Sequence, residues 1–568
     1  MGSAIRQASR LLGSPVMFRL WVMTILRVAV SILDLFGVFL LSEFTSAALS
    51  GHDSTSSSLP FSWPWRDSPI WTLLTALLAL SVKSIASLIL NTSMTRVTNR
   101  RTSELITTTS SDLIDSGYEL TAGADSHSLH YQLTAGIRAG TSGMILPLAT
   151  VISESALLGF FFLFLLITNT PAALLSILIL GLTSRQLHRY LSYRLYRNGQ
   201  LAGSASIRSH ATFQETLHGY RELYVRGSLG VTIGKFAGIE ADFSRLQTEQ
   251  SFLGVVPRHV LETVVMMSLG IIAGVTVLLK DIESAIVVIT VFGAATARIL
   301  PSLIPLQASL SELQSNIGKS ADLTNFLEKI EPRAQSSWHS KSEQDTQSTI
   351  REIVFQNVSY RYPGSKSDVL RDISLTIAGI GWYAIDGPSG SGKSTLLDVL
   401  IGLREPTTGH VTIDGCRPTD FVLENPGRCS YLPQRVSVLT GTLAENVALG
   451  CALDASKVEH LLQLVGLDHV LGRSELGVYS QLGELGHGLS GGQLQRLGIA
   501  RCLYTNPEVL LLDESTTGLD DSTKSGILDL LTELSQSLLI ISISHDRDIT
   551  ARAGQVFRID AGRILAQS

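Results

Sequence analysis

Hydrophobic and polar positions divide the chain into two unlike halves. In the first, mostly apolar runs of about 20 residues recur, the length a helix needs to cross hydrocarbon. They cover Leu20–Ala48, Ile70–Leu90, Thr141–Ile167, Pro171–Leu182, Val255–Leu279 and Ile282–Leu306. The third and fourth nearly merge at 168–171. The reading is about six transmembrane helices, without a cleavable signal peptide. Long polar, helix-compatible stretches follow spans two and four, at 95–139 and 187–254, and carry the helices beyond the bilayer. Breaks are expected near 112–121 and 212–221. A Ser-, Gln- and charge-rich stretch at 336–350 reads as a linker. From Arg351 the pattern changes to short apolar strands alternating with helices, a compact α/β domain. The expected organisation is therefore a membrane α-helical bundle over 1–335, a linker over 336–350 and an α/β P-loop domain over 351–568.

Composition agrees with that division. Hydrophobic residues make up 45% and charged residues only 16%, against a usual ~25% charged. The net charge of −5 gives no basic field for nucleic acid. Cys416, Cys429, Cys451 and Cys502 all follow the linker and form no C-x-x-C pair, which points to reduced thiols rather than a disulfide or zinc scaffold. Lys and Arg cluster before span one (Arg6, Arg10, Arg19), after span two (Arg96, Arg100, Arg101) and after span four (Arg185, Arg189, Arg194, Arg197). Those segments should face the cytoplasm, with both termini and the α/β domain. Trp63 and Trp65 in the opposite loop read as interface anchors.

The chemistry centres on Gly387, Pro388, Ser389, Gly390, Ser391, Gly392, Lys393, Ser394 and Thr395, which fit G-x-x-x-x-G-K-[ST] between a strand and a helix. Backbone N–H groups and the helix N-terminus cradle phosphates there, Lys393 adds a cation and Ser394 a hydroxyl for Mg²⁺. Val509–Glu514 is an apolar run ending in two acids. Asp513 can hold Mg²⁺, and Glu514 can orient and deprotonate an attacking water. Ser490, Gly491, Gly492 and Gln493 open a helix with Ser490 as N-cap, a second anion site. The flanked P-loop stands by itself and the acid pair beside it is more than a turn, whereas His545, Gln434 and Tyr362 in isolation carry little.

Together, and in order, the P-loop, Tyr431–Gln434, Leu489–Gln493, the acid strand, Leu519–Asp520 and His545 resemble the nucleotide-binding domain of an ATP-binding cassette (ABC) transporter. Six spans fused to one cassette are similar to the exporter half-transporter plan. The resemblance implies ATP and Mg²⁺ as ligands, and ATP held between the P-loop of one cassette and Ser490–Gln493 of another. The partner is then a second copy of the chain or a related half-transporter. Tyr362 would stack on adenine, with Tyr360 the weaker candidate. Gln434 would sense Mg²⁺ and water, Asp520 would couple the two sites, and His545 would hold the γ-phosphate. Thr517-Gly518 stands where Ser-Ala is commoner in the family.

Cargo has to be read from the spans, where ionisable groups default to functional candidates. These are Arg27, Asp34, Lys83, Glu154, Arg258, Glu262 and Arg298; Arg27, Asp34, Lys83, Arg258 and Arg298 are the candidate substrate-cavity residues. Mutual ion pairing or snorkelling is the plainer account of each. Gln214–Glu222, Pro257-Arg258 with Glu262, and Ile152–Glu154 resemble the branch containing the bacterial lipid-linked oligosaccharide flippase. The expectation is ATP-driven export or flipping of a lipid-linked or amphipathic substrate, such as a lipid-linked glycan, across the cytoplasmic membrane. A multidrug or peptide exporter of the same fold is the alternative. An ATP-gated channel or a non-transporting membrane ATPase is further off. Pro60, Pro64 and Pro69 disfavour a short helix in the first external loop.

Overall fold

A computed structural model describes residues 2–50, 69–116, 118, 125–168, 170–279, 282–330, 350–472, 475–482, 489–514 and 521–567. The chain falls into two compact units, one of residues 1–116 and 120–333, the other of 117–119 and 334–568. The expected linker at 336–350 lies almost wholly outside the described residues, as do Trp63, Trp65, Pro60 and Pro64.

The first unit is helical. Its elements are α1 (Gly2–Leu12), α2 (Ser14–Ser50), α3 (Pro69–Asp115), α4 (Ser126–Tyr131), α5 (Ile137–Gly140), α6 (Ser142–Thr168), α7 (Thr170–His218), α8 (Tyr220–Val225), α9 (Leu229–Leu279), α10 (Ile282–Lys319) and α11 (Leu323–Lys329). Each apolar run of the sequence lies on one of the six long helices α2, α3, α6, α7, α9 and α10. At ~1.5 Å per residue, α3, with 47 residues, spans about 70 Å. Hydrocarbon accounts for ~30 Å of that, so about half of the helix stands clear of the bilayer. The helices break where the polar stretches predicted it, after Asp115 and at Gly219. Phe18, Ile25, Leu78, Ile85 and Leu88 are exposed along α2 and α3, side chains whose natural solvent is lipid. Among the described residues, three stretches are long and apolar enough to cross a membrane: 14–33, 70–115 and 126–163.

The second unit is built on a six-stranded sheet. Its order is β11 (Arg563–Gln567), β10 (Gln555–Asp560), β3 (Gly381–Asp386), β9 (Leu539–Ile543), β8 (Val509–Asp513) and β5 (Cys429–Leu432). Only β11 runs antiparallel, pairing with β10. Every residue of β8 and β9 is buried, as a parallel strand covered on both faces requires. A three-stranded antiparallel sheet, β2 (Leu370–Ala378), β1 (Glu352–Tyr360) and β4 (Thr408–Ile413), shares one core with α12 (Lys393–Leu400). The opposite core gathers around Trp382, whose indole N–H donates to Ser542 Oγ at 2.8 Å. That core takes in α17 (Gly491–Leu503). Between α12 and α17 lie the short pieces α13 (Pro418–Glu424), β6 (Gly441–Thr442), α14 (Leu443–Ala448), α15 (Ala455–Leu464), α16 (Asp468–Leu471) and β7 (Gln481–Leu482). α18 (Asp521–Leu534) and α19 (Arg547–Arg552) complete the unit.

Candidate functional site

The parallel strands deliver their carboxyl ends to one edge of the sheet, where an open α/β fold binds its ligands. The loop from β3 to α12 is the P-loop. Gly392 adopts φ +101°, a region closed to most side chains. A Cβ on Gly387 would stand 2.1 Å from the Ile559 carbonyl oxygen, so only glycine fits that turn. Lys393 is buried and folds back on the loop, its Nζ donating to the carbonyls of Gly387 at 2.8 Å and Pro388 at 3.0 Å. The lysine is thus parked on its own backbone, on hydrogen bonds that phosphate oxygens can replace.

Ser394 Oγ lies 3.4 Å from Asp513 Oδ1, and the Tyr431 hydroxyl donates to Asp513 Oδ2 at 3.2 Å. Burial, above all, holds the Asp513 carboxyl above the ordinary carboxylate range; the two hydroxyls pull it back down and the Glu514 charge pushes it up. Serine hydroxyl, carboxylate and the Gln434 amide are hard oxygen donors, which fit Mg²⁺. No cluster of three His, Cys, Asp or Glu side chains that could hold a metal alone occurs among the described residues. An ion at Ser394 and Asp513 would have further positions that nucleotide phosphates can fill.

Glu514 follows on the same strand end. Its Oε2 accepts from Gln434 Nε2 at 2.6 Å, and His545 Nδ1 stands 3.6 Å from its Oε1. Its backbone sits at φ +46°, with its N–H donating to the Ile543 carbonyl at 3.0 Å. A non-glycine residue held left-handed is strained, and such strain concentrates where a side chain must be aimed. The structure thus brings Glu514, Gln434 and His545 together as one group. Tyr362 reaches the P-loop helix through its hydroxyl, 2.9 Å from Thr395 Oγ1.

Ser490 caps α17. Its Oγ accepts from the Gln493 N–H at 3.3 Å while Gln493 Oε1 accepts from the Ser490 N–H at 2.9 Å. Gln493 Nε2 stands 2.7 Å from His469 Nε2. This reciprocal box satisfies two groups and leaves the first-turn N–H groups of Gly491 and Gly492 without an intrahelical acceptor. The helix is tied to the group around Glu514 by Gln495, whose Nε2 donates to the Gln434 carbonyl at 3.0 Å. Arg501, on the same helix, donates to the carbonyls of Ser437 and Asn446. Gln495, Arg501 and His469 were not singled out by the sequence, and Tyr431 entered only as part of the Tyr431–Gln434 motif, without a role of its own. Asp520 and 517–519 lie outside the described residues.

In the helical unit Arg27 on α2 and Lys83 on α3 both act electrostatically on Glu154 of α6, which is within hydrogen-bonding reach of Ser302 on α10. Arg258 is instead held by Glu262 one turn along α9, at 2.9 Å, with His259 on the same carboxylate at 3.4 Å. The side chains of Asp34 and Arg298 lie outside the described residues.

Comparison with known proteins places this geometry. Residues 370–517 match the family model described as ABC transporter. A protein of Aromatoleum aromaticum named ATP-dependent lipid A-core flippase is 28% identical over 448 residues, 78% of this chain and 73% of that protein. An uncharacterized ABC transporter ATP-binding protein of Bacillus subtilis, YwjA, is 39% identical over 39% of this chain and 38% of its own. The Streptococcus pneumoniae transport/processing ATP-binding protein ComA is 32% identical over 46% of this chain and 36% of its own. The solved structure of a bacterial Atm1-family ABC exporter with ATP bound superposes with a TM-score of 0.73 at 18% identity, over 98% of this chain and 95% of that one. At that identity the likeness speaks for the fold.

Proposed function

We propose, from the premise that the chain is an exporter-type half-transporter of the ABC transporter family, that two copies use ATP to move an anionic, lipid-linked amphiphile across the cytoplasmic membrane. The chain is a multi-pass membrane protein and its cassette is an ATP-hydrolysing domain. Both termini and the cassette lie in the cytoplasm in this reading, as the Lys and Arg distribution supports.

In the cassette, Lys393 leaves the Gly387 and Pro388 carbonyls for the phosphates, and the P-loop N–H groups surround them. Ser394, Asp513 and the Gln434 amide would hold Mg²⁺, which neutralises phosphate charge when bound. Glu514, fixed by Gln434, takes the proton of the attacking water, and His545 stands beside it to meet the γ-phosphate. The Ser490 hydroxyl proton and the N–H groups of Gly491 and Gly492 complete a second copy's site, and Asp520 would couple the two.

The observation that carries the cargo reading is that, among the described residues, Arg27 and Lys83 both act on Glu154 from neighbouring helices, with Ser302 beside the acid. Ionisable groups among membrane helices are costly, and cations such as Arg27 and Lys83 are the side chains that grip a phosphate or pyrophosphate head group. The name of the A. aromaticum relative, a lipid A-core flippase, points the same way. Arg258 is paired with Glu262 on its own helix, and the proposal does not draw on it. The test is ATPase activity and flipping in proteoliposomes against a panel. Phosphorylated and pyrophosphate-linked lipids should stimulate turnover, and neutral lipids should not. Stimulation confined to cationic drugs or to peptides would make the chain a drug or peptide exporter. Ion current without stimulated hydrolysis would make it a channel.

A further inference from the structure

The turn after the P-loop helix α12 holds a cation, Arg404, that is only 9% exposed. Its Nε forms a 2.9 Å ion pair with Asp398 Oδ2, on α12 itself. Its Nη1 donates to the Tyr360 hydroxyl at 2.9 Å. Its guanidinium carbon lies 4.7 Å from the Tyr362 ring centroid, 5.6 Å from that of Tyr360 and 5.2 Å from that of Tyr118, which groups with the same compact unit. Tyr360 and Tyr362 meet edge to face, with centroids 5.2 Å apart. The Tyr362 ring is therefore fixed twice to one helix: by its hydroxyl at Thr395, and through Arg404 at Asp398.

A cation over an aromatic face is attracted by the ring quadrupole, more strongly when water is excluded. Arginine suits the position because its planar fork makes hydrogen bonds at the edge while its face stacks. Lysine, a point charge, cannot do both. We propose that Arg404 is a positioning residue for the nucleotide base. It touches Tyr362 rather than the nucleotide, and it locks that ring to α12 so that base and phosphates are gripped by one rigid body. The proposal rests on the reading of Tyr362 as the base contact, and goes beyond it by naming what fixes the ring.

The test measures ATP and tripolyphosphate binding to the full-length protein by calorimetry. Tripolyphosphate presents the phosphates without a base. Arg404→Met should weaken ATP by about five- to tenfold, the scale of one desolvated stacking contact. Tripolyphosphate should move less than about twofold. Arg404→Lys should recover only part of the ATP affinity. Equal weakening of both ligands would mean that Arg404 merely supports the P-loop helix, and no change in either would remove it altogether. Both results overturn the proposal. Tyr362→Leu separates the two layers of the argument. If it leaves the ATP preference intact, the base reading itself fails. If it removes the preference while Arg404→Met does not, only the Arg404 proposal fails. Should Arg404→Met not fold, Tyr360→Phe removes a single hydroxyl from the guanidinium. An ATP-selective loss of about two- to threefold is then expected, and no loss overturns the proposal.

Discussion

Glu514→Gln is the sharpest perturbation of the proposed hydrolytic group, because the structure lets its effect be isolated. The exchange is isosteric, and glutamine holds the left-handed backbone at φ +46° at the same cost as glutamate. The amide oxygen can still accept from Gln434 Nε2, now 2.6 Å from the carboxylate. What disappears is one negative charge and its proton affinity. General-base catalysis contributes about 10²- to 10⁴-fold, or roughly 3–5 kcal/mol at 1.36 kcal/mol per decade. Turnover should fall by that factor. ATP binding should not fall, for a reason also visible in the site. The Glu514 charge, second to burial among the upward influences, lifts the Asp513 carboxyl. Removing it favours the ionised Asp513 that a nucleotide-bound cation would meet. The assay is steady-state phosphate release at saturating ATP, with bound nucleotide counted on the same sample. A variant that turns over within tenfold of the parent while binding ATP normally would refute the assignment of Glu514 as base. A variant that loses binding as well would mean that Glu514 shapes the site rather than acting in it.

Three further outcomes follow from particular contacts. Gly392→Ala should abolish ATP retention, since its Cβ would add to the φ +101° strain a 2.9 Å approach to Leu370 Cδ2 and 3.1 Å to the Val369 carbonyl; ATP-affinity capture at normal strength would contradict this. Glu508→Ala should lower the melting temperature of the cassette transition, because Glu508 takes both arms of Arg428, at 2.6 and 2.8 Å, and the Ile350 N–H at 2.9 Å. The pair is partly exposed, so about 1–3 kcal/mol is expected rather than the full cost of a buried pair, and an unchanged melting temperature would argue against it. Burial pushes the thiols of Cys429 and Cys502 up to about 12, while Cys416 and Cys451 are exposed. At pH 9 only about one in a thousand of the buried thiols is then thiolate. Native alkylation between pH 7 and 9, read by mass spectrometry, should mark Cys416 and Cys451 and spare the other two. Labelling of Cys502 that rises with pH alongside Cys416 would count against the packing of α17.

What could be read from the sequence was whatever the backbone itself demands. A loop that wraps phosphate needs glycine at Gly387 and Gly392, and a strand covered on both faces needs the unbroken apolar run of β8. Partners supplied by topology were not legible. Tyr431 meets Asp513 only because β5 lies beside β8, Tyr431 pairing with Leu511 across the register. Nothing in the spacing of Arg404 announces two tyrosines some 40 residues earlier. In the spans the difficulty is physical: a helix in lipid is apolar on nearly all sides, so periodicity cannot say which face turns inward. Charge is the pointer that remains, and it is ambiguous. Arg27, Lys83 and Glu154 converge from three helices, whereas Arg258 has its acid four residues on. That i,i+4 spacing was the one available sign that it is an ordinary helix pair. Helix α17 is a parallel case. Ser490 and Gln493 spend their mutual hydrogen bonds on capping, yet the hydroxyl proton and two first-turn N–H groups remain to be satisfied. Under the proposed function such a helix N-terminus is half of an anion site, which a second copy's triphosphate would complete.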